Sequence, residues 1–514
     1  MPSKEKFIDE IQKSFTFKGD HIILGGAIYQ QQPVKDLQIM IPLKTLNRHG
    51  LIAGATGTGK TKTLQVIAER LSEKSVPVLL MDIKGDLSGL AVSGASNAKI
   101  EERHKNIGVP YAPRAFPVEL LTISEQNGVR LRATVSEFGP VLFSKILELN
   151  DTQSGIVSLI FKYCDDNQLP LLDLKDFKKV LQYVTNEGKN EIESEYGKIS
   201  TASTGTILRK IIELEQQQAD LFFGEKSFEV ADLLRINEEG YGMISILRLN
   251  DLQERPKLFS TFMLSLLAEI YSSFPEEGDL DQPKLAIFID EAHLIFNEAS
   301  KALLDQIETI IKLIRSKGVG IFFCTQNPTD IPASILSQLG LKIQHALRAF
   351  TANDRKMIKL TAENYPVSEF YKTDELLTSL GIGEAAVSAL DEKGRPTVLA
   401  AALMCAPKSR MDILTTQEIE NVISKSTILK KYSETIDRES AYELLNAKLA
   451  SATISDTQNK VPSSNKRQPK STVEKMIDSP LARQVGRTVA RELTRGILGV
   501  LGLGGSARKG KSLF

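Results

Sequence analysis

Residues 54–61, Gly-Ala-Thr-Gly-Thr-Gly-Lys-Thr, follow the spacing G-x-x-x-x-G-K-[ST] at every position. Glycines in such a loop let backbone N–H groups turn inward toward phosphate oxygens with no Cβ in the way. A helix starting at its end adds a positive N-terminal dipole. Gly54, Ala55, Thr56, Gly57, Thr58, Gly59 and Lys62 are therefore expected to surround the phosphates of ATP. Lys60 is the expected bridge to the terminal phosphates, and Thr61 the expected hydroxyl ligand of Mg2+. Such a site needs a second half, a carboxylate at the end of a buried strand. Asp290, after Ile287-Phe288-Ile289, has that context and is the second expected Mg2+ residue. Glu291 follows it and can act as general base on an attacking water.

Three further residues have the right chemistry but less specific contexts. Gln326 ends the apolar run 320–326. An amide there can register the γ-phosphate, or it can simply open the turn before Asn327-Pro328. Arg315 and Arg348 lie on either side of that run. Each can stabilise transition-state charge, from the same chain or from a neighbour in a ring, or can be a solvated surface arginine. Asp82, Lys84 and Asp86 end a run near the glycine loop, where they can touch water or sugar, or form a turn. His49, just before the loop strand, reads as a packed or capping residue.

These groups must be positioned by strands and helices. LIAG at 51–54 is a buried strand feeding the loop, 61–74 is helix-periodic, and 76–83 is a second apolar strand. Strand, loop, helix, strand is a βαβ unit and implies a parallel sheet. Residues 140–235 turn helix-periodic and read as an α-helical insertion. Strands resume at 242–249, 284–293, 320–326 and 342–348, and a closing hairpin is expected over 384–390 and 395–403. The alternation predicts a doubly wound α/β fold with a mostly parallel sheet. Before it, 17–30 and 37–46 read as a small β lead-in. The expected divisions are 1–47, 48–139, 140–235, 236–410, a helical extension 411–451, a disordered linker 452–475 and a tail 476–514. In that tail Arg483, Arg487, Arg491 and Arg495 are four apart, and so are Val485, Val489, Leu493 and Ile497. A basic amphipathic helix of this kind can meet anionic lipid, nucleic acid or a protein partner, or dock on its own domain.

Composition narrows the class. Lysine plus arginine and aspartate plus glutamate are both 64, so bulk charge does not coat nucleic acid, although a local basic channel remains open. Cys164, Cys324 and Cys405 are far apart and form no CxxC, which argues against a zinc site or a disulfide framework. The N-terminus has no apolar signal region, and no run reaches the roughly 20 apolar residues of a membrane helix. The expected location is cytoplasmic.

GATGTGKT, IFIDEAHLIF, RSKGVGIFFCTQNPTDIP and LGLKIQHALRAFT together resemble the HerA/FtsK superfamily of P-loop motors. The chain is more closely similar to the bacterial YjgR-like proteins, as NRHGLIAGATGTGKTKTLQ and LELNDTQSGIV also indicate. The resemblance covers roughly residues 10–405 and the basic tail. It implies a RecA-like (ASCE) core, a hexameric ring, and ATP hydrolysis coupled to movement of DNA or polypeptide. It implies Lys60 and Thr61 as phosphate and Mg2+ residues, Asp290 and Glu291 as the Walker B pair, and Gln326 as the sensor. Arg348 matches a family arginine that acts across an interface, whereas Arg315 matches loosely, with Ile314-Arg315-Ser316 where Gly-Arg-Lys is usual. A second departure is the segment before the P-loop strand, about forty residues where HerA motors carry an assembly barrel. The leading function is a ring-forming DNA translocase or helicase-like ATPase. Two others compete with it, a nucleotide-gated interaction switch and a membrane-associated secretion or conjugation ATPase.

Overall fold

The N-terminus begins with a helix that the β lead-in reading left out. Phe7, Ile11 and Phe15 are four apart, so a helix puts them on one side. In the computed structural model α1 (Lys4–Phe15) buries all three against a hairpin of β1 (His21–Tyr29) and β2 (Gln32–Pro42). Ser3 starts the helix by accepting a hydrogen bond from the Lys6 N–H at 3.2 Å. The structure describes residues 2–251, 255–278, 280–298, 301–434 and 439–458. The four-spaced arginine and apolar rows of the tail lie outside the described residues.

β3 (Gly50–Ala53), α2 (Lys60–Glu73) and β4 (Val78–Asp82) form the anticipated βαβ unit. After α3 (Ala98–Ile107) come two strands that the sequence did not announce, β5 (Val118–Thr122) and β6 (Val129–Arg130). The helical block follows: α4 (Val135–Ile146), α5 (Asp151–Asp166), α6 (Leu174–Thr185), α7 (Lys189–Glu195) and α8 (Thr201–Gln216). Thr134 with Glu137, Asn150 with Gln153 and Asp173 with Asp176 form capping boxes that set three of its starts. The sheet then resumes with β7 (Ile244–Arg248), α9 (Pro256–Ser273), β8 (Leu285–Ile289), α10 (His293–Glu298), α11 (Lys301–Ile314), β9 (Val319–Thr325) and β10 (Leu341–His345). β11 (Glu384–Ser388) and β12 (Ala400–Met404) complete it.

Among the described residues twelve strands make one sheet, in the order β2-β1-β12-β11-β10-β3-β9-β8-β4-β7-β5-β6. From β10 to β6 every pairing is parallel, and from β10 through β11, β12 and β1 to β2 every pairing is antiparallel. β9 therefore lies between the glycine-loop strand β3 and the acidic strand β8, which is the RecA-like arrangement implied by the resemblance. The antiparallel hairpin of β11 and β12 does not close the sheet, because the N-terminal hairpin pairs on beyond it through β1.

The parallel strands are buried on both faces, hence their unbroken apolar runs. Leu79 and Met81 join a core shared with the helical block, while Val78 and Leu80 join the one that α1 and α2 cover. Phe138 and Phe223 of the block meet Phe222, which packs edge-on against Phe262 of α9. A final helix, Ala441–Gln458, packs on α6 and runs into the stretch expected to be linker. Extending a helix already nucleated by packing costs little per residue, which explains the difference. All three cysteines are buried and none is bonded to another. Among the described residues no helix is long and apolar enough to cross a membrane.

Candidate active site

The glycine loop leaves β3 at Gly54 and ends as α2 begins at Lys60. Its two edges are fixed by neighbouring strands. Gly54 N–H donates to the Thr325 carbonyl at 3.3 Å and Ala55 N–H to the Ala346 carbonyl at 2.9 Å. A Cβ at Gly54, where φ is +150°, would fall 2.5 Å from the Cβ of His345, so this position requires glycine. Thr58 closes the loop on itself, its hydroxyl donating to the Ala55 carbonyl at 2.7 Å. Among the described residues the N–H groups of Thr56, Gly57, Gly59, Lys60 and Thr61 meet no acceptor in the chain. Several backbone donors converging on one hollow are what a phosphate group fits.

Lys60 is 7% exposed, and its Nζ donates to the carbonyls of Gly54 (2.7 Å) and Ala55 (3.4 Å). Burial holds its ammonium below the usual lysine range, the nearby Lys84 adds to this, and Glu291 and Asp290 oppose it. Thr61, half-buried, is the second residue of α2. Lys62 donates to the Met411 carbonyl at 2.6 Å, so its ammonium is engaged by the chain itself.

Parallel register brings the acidic half alongside. Ala53 pairs with Thr325 across β3 and β9, and Ile289 with Phe323 across β8 and β9. Gln326 thus leaves the sheet beside Gly54, and Asp290 one strand further over. Asp330 accepts from the Thr325 hydroxyl (2.7 Å) and the Asn327 N–H (3.2 Å), which fixes the loop that presents Gln326. Asp290 is 4% exposed, and its Oδ2 has no hydrogen-bond partner among the described residues. Burial, then the adjacent Glu291, pushes its carboxyl up to about 7. A buried, unpartnered carboxylate oxygen is costly unless a cation or donor meets it, so the donor set fits Mg2+. Glu291 is buried at φ +45°, ion-paired with Lys84, and 3.2 Å from His293 Nδ1.

The two arginines part company. Arg348 is exposed just past β10, on the same sheet edge as the glycine loop, two residues beyond the carbonyl that Ala55 engages. Arg315 precedes β9 and is exposed at the opposite edge. The seven residues of β9 separate it from Gln326 by about 20 Å at ~3.3 Å per residue. It cannot serve the glycine loop of its own chain. Asp82 is the turn former of its trio, taking the N–H groups of Gly85 (2.7 Å), Asp86 (3.2 Å) and Leu87 (3.1 Å). His49 is a packed residue, with Nε2 donating to the Ile311 carbonyl (2.9 Å) and Nδ1 accepting from Ile321 N–H (3.0 Å).

Sequence reasoning missed His345. It is fully buried, its Nδ1–H donates to the Glu384 carbonyl (2.8 Å), and its Nε2 accepts from the Thr63 hydroxyl (2.9 Å). It ties β10 and β11 to the first turn of α2 and backs Gly54. Gly383 was missed as well, and its N–H donates to the Thr58 carbonyl at 2.9 Å. Both contacts depend on strand order, with β10 beside β3 and β11 beside β10, and no local pattern carries that.

The comparisons with known proteins bear on the family and the fold. The family model described as Helicase HerA-like C-terminal matches residues 28–508. The DNA double-strand break repair helicase HerA of Sulfolobus acidocaldarius is 24% identical over 361 residues, covering 68% of this chain and 64% of that protein. Its namesake from Sulfurisphaera tokodaii is 26% identical over 358 residues, with 68% and 64% covered. The chain thus spans 64% of the length of these two relatives. Among solved structures, the plasmid coupling protein TrwB in complex with the non-hydrolysable ATP analogue ADPNP has the same fold at 14% identity. Its TM-score is 0.51, and the match covers 81% of this chain and 96% of that one. The family match takes in β3, β9, β8 and β10, every strand that frames the glycine loop, and the chain belongs to the HerA-like C-terminal helicase family.

Proposed function

We propose that this chain is the cytoplasmic subunit of a hexameric motor that binds ATP with Mg2+, hydrolyses it and moves along double-stranded DNA. The observation that carries the reading is the register of β3, β9 and β8, which gathers the glycine loop, Gln326 and the Asp290-Glu291 pair at one sheet edge. A kinase-like transfer site needs an acceptor pocket, whereas a carboxylate beside the Mg2+ residue suits activation of water. In this reading the backbone N–H groups of the loop hold the phosphates, Lys60 exchanges its loop carbonyls for phosphate oxygens, and Thr61 and Asp290 hold Mg2+. The bound cation supplies positive charge to the phosphate oxygens. Glu291 takes the proton of the attacking water at a carboxylate oxygen, and Gln326 orients at the γ-phosphate. Arg348 reaches the site of the adjoining subunit from the rim. Arg315, on the far edge, has a role only if a neighbouring subunit presents its site there. DNA as the track draws on the HerA relatives, which are DNA double-strand break repair helicases. With no net charge overall, contact with phosphates falls to a local lining of the ring.

The test is ATP turnover with and without double-stranded DNA at fixed salt. Stimulation by DNA is expected. Turnover that is slow and indifferent to DNA refutes the motor and favours a nucleotide-gated switch.

A further inference from the structure

Lys84 lies outside the phosphate-loop pattern, yet it is held against the residue cast as the base. Its ammonium is ion-paired with Glu291 Oε1. The placement is built in. β4 and β8 are paired neighbours, with Met81 opposite Ile289, so 82–84 and 290–291 leave the sheet side by side. Asp82 then clamps the following loop through three backbone N–H groups, and Gly85 takes φ +76° to turn it. The pair is asymmetric: the Lys84 side chain is 35% exposed and that of Glu291 only 6%. The lysine is the partner free to move.

Lys60 and Lys84 stand over the same carboxyl edge of the sheet, Lys60 opening α2 after β3 and Lys84 following β4. Between those strands lies β8, which ends in buried Asp290, with one carboxylate oxygen unpartnered, and in Glu291, the ion-pair partner of Lys84. Two like charges there repel unless an anion is shared between them. A terminal phosphate is such an anion, and it competes with Glu291 for the mobile lysine.

The geometry points to Lys84 as a γ-phosphate-sensing residue: it holds Glu291 in an ion pair when no terminal phosphate is bound, and moves to that phosphate when ATP binds, releasing Glu291 to accept a proton from water. Hydrolysis is thereby confined to the triphosphate-bound state, and ADP leaves the pair closed. Lys84 is a positioning residue with respect to Glu291. This inference rests on the ATP-site reading above.

The experiment is calorimetric titration of Mg-ATP and Mg-ADP into the full chain and into Lys84→Met, Glu291→Gln and the double variant. Loss of one charge-assisted contact to the γ-phosphate is expected to weaken ATP binding by about tenfold or more in Lys84→Met, with ADP within about twofold. Glu291→Gln is expected to tighten ATP but not ADP, since the lysine is no longer contested. That gain disappears when Lys84→Met is also present. Equal loss for both nucleotides in Lys84→Met, or no loss for either, overturns the inference. So does a gain for ATP in Glu291→Gln that survives in the double variant. If Lys84→Met does not fold, the ATP-to-ADP preference of Glu291→Gln decides alone, and no change from wild type overturns the inference. A wild-type chain that binds neither nucleotide overturns the ATP-site reading itself.

Discussion

His345 offers a measurable link between the loop and the rest of the sheet. The imidazole is fully buried, and burial, with a smaller effect of Lys60, pushes it down to about 4. Its ordinary value is 6.5. The sign follows from which state takes the proton first. The unfolded chain protonates near 6.5 and the folded chain only near 4, so acid favours unfolding. The stability from this residue is complete above pH 6.5 and is lost as pH falls toward 4. The shift corresponds to about 3 kcal/mol in the acid limit, of which about 2 kcal/mol is gone by pH 5. His345→Asn removes the titration but keeps a donor facing the Glu384 carbonyl. It leaves the Thr63 hydroxyl without its acceptor, which costs about 1–3 kcal/mol at neutral pH. In urea unfolding at pH 7.5 and pH 5.0, the variant is therefore the less stable protein at pH 7.5 but loses about 2 kcal/mol less than wild type on acidification. The two proteins converge near pH 5. Parallel losses with pH show that His345 is not held neutral, and that the contacts drawn here at Thr63 and Glu384 are wrong.

Other outcomes follow from the same site. Gly54→Ala places a Cβ 2.5 Å from that of His345 at φ +150°, and is expected to weaken ATP binding more than tenfold and to cost about 1–3 kcal/mol of stability; wild-type affinity shows that the loop is seated differently. Glu291→Gln is expected to retain ATP binding and to lose turnover by about a hundredfold or more in single-turnover assays; normal turnover places the base elsewhere. Arg348→Ala is expected to lose hydrolysis and to regain it in rings mixed with Lys60→Ala subunits. Mixed rings as inactive as either parent show that the arginine does not serve a neighbour's site. His49, pushed down to about 4 by burial, behaves as His345 does: its contribution, also about 2 kcal/mol at pH 5, is lost on acidification and is absent from the pH dependence of His49→Gln in the same urea assay.

What the sequence disclosed was local. The glycine loop, its preceding strand and following helix, and the strand ending in Asp290 are each written in a contiguous stretch. Buried parallel strands are apolar throughout, and a polar residue at their carboxyl end stands out. The order of strands is not local. That β9 lies between β3 and β8, and so puts Gln326 beside Gly54, is decided by packing across hundreds of residues. The same holds for Arg315, which precedes β9 in the chain and so falls on the wrong edge for its own loop. β5 escaped notice because its five residues include Glu119, buried against Arg235 at 2.9 Å, which breaks the apolar run. α1 escaped because its apolar stripe is diluted by charged residues on its exposed sides. His345 carried no pattern at all, and Lys84 stood out only as part of a strand-end trio whose partner on β8 the sequence did not name. Each gains its meaning from a residue on another strand.

The central claim is a ring whose subunits share ATP sites, and the molar mass of the chain with Mg-ATP tests it most directly. Light scattering on the Glu291→Gln variant, which is expected to hold ATP unhydrolysed, should give six copies of the 56.7 kDa chain, about 340 kDa. A mass of a single chain under saturating ATP contradicts the account.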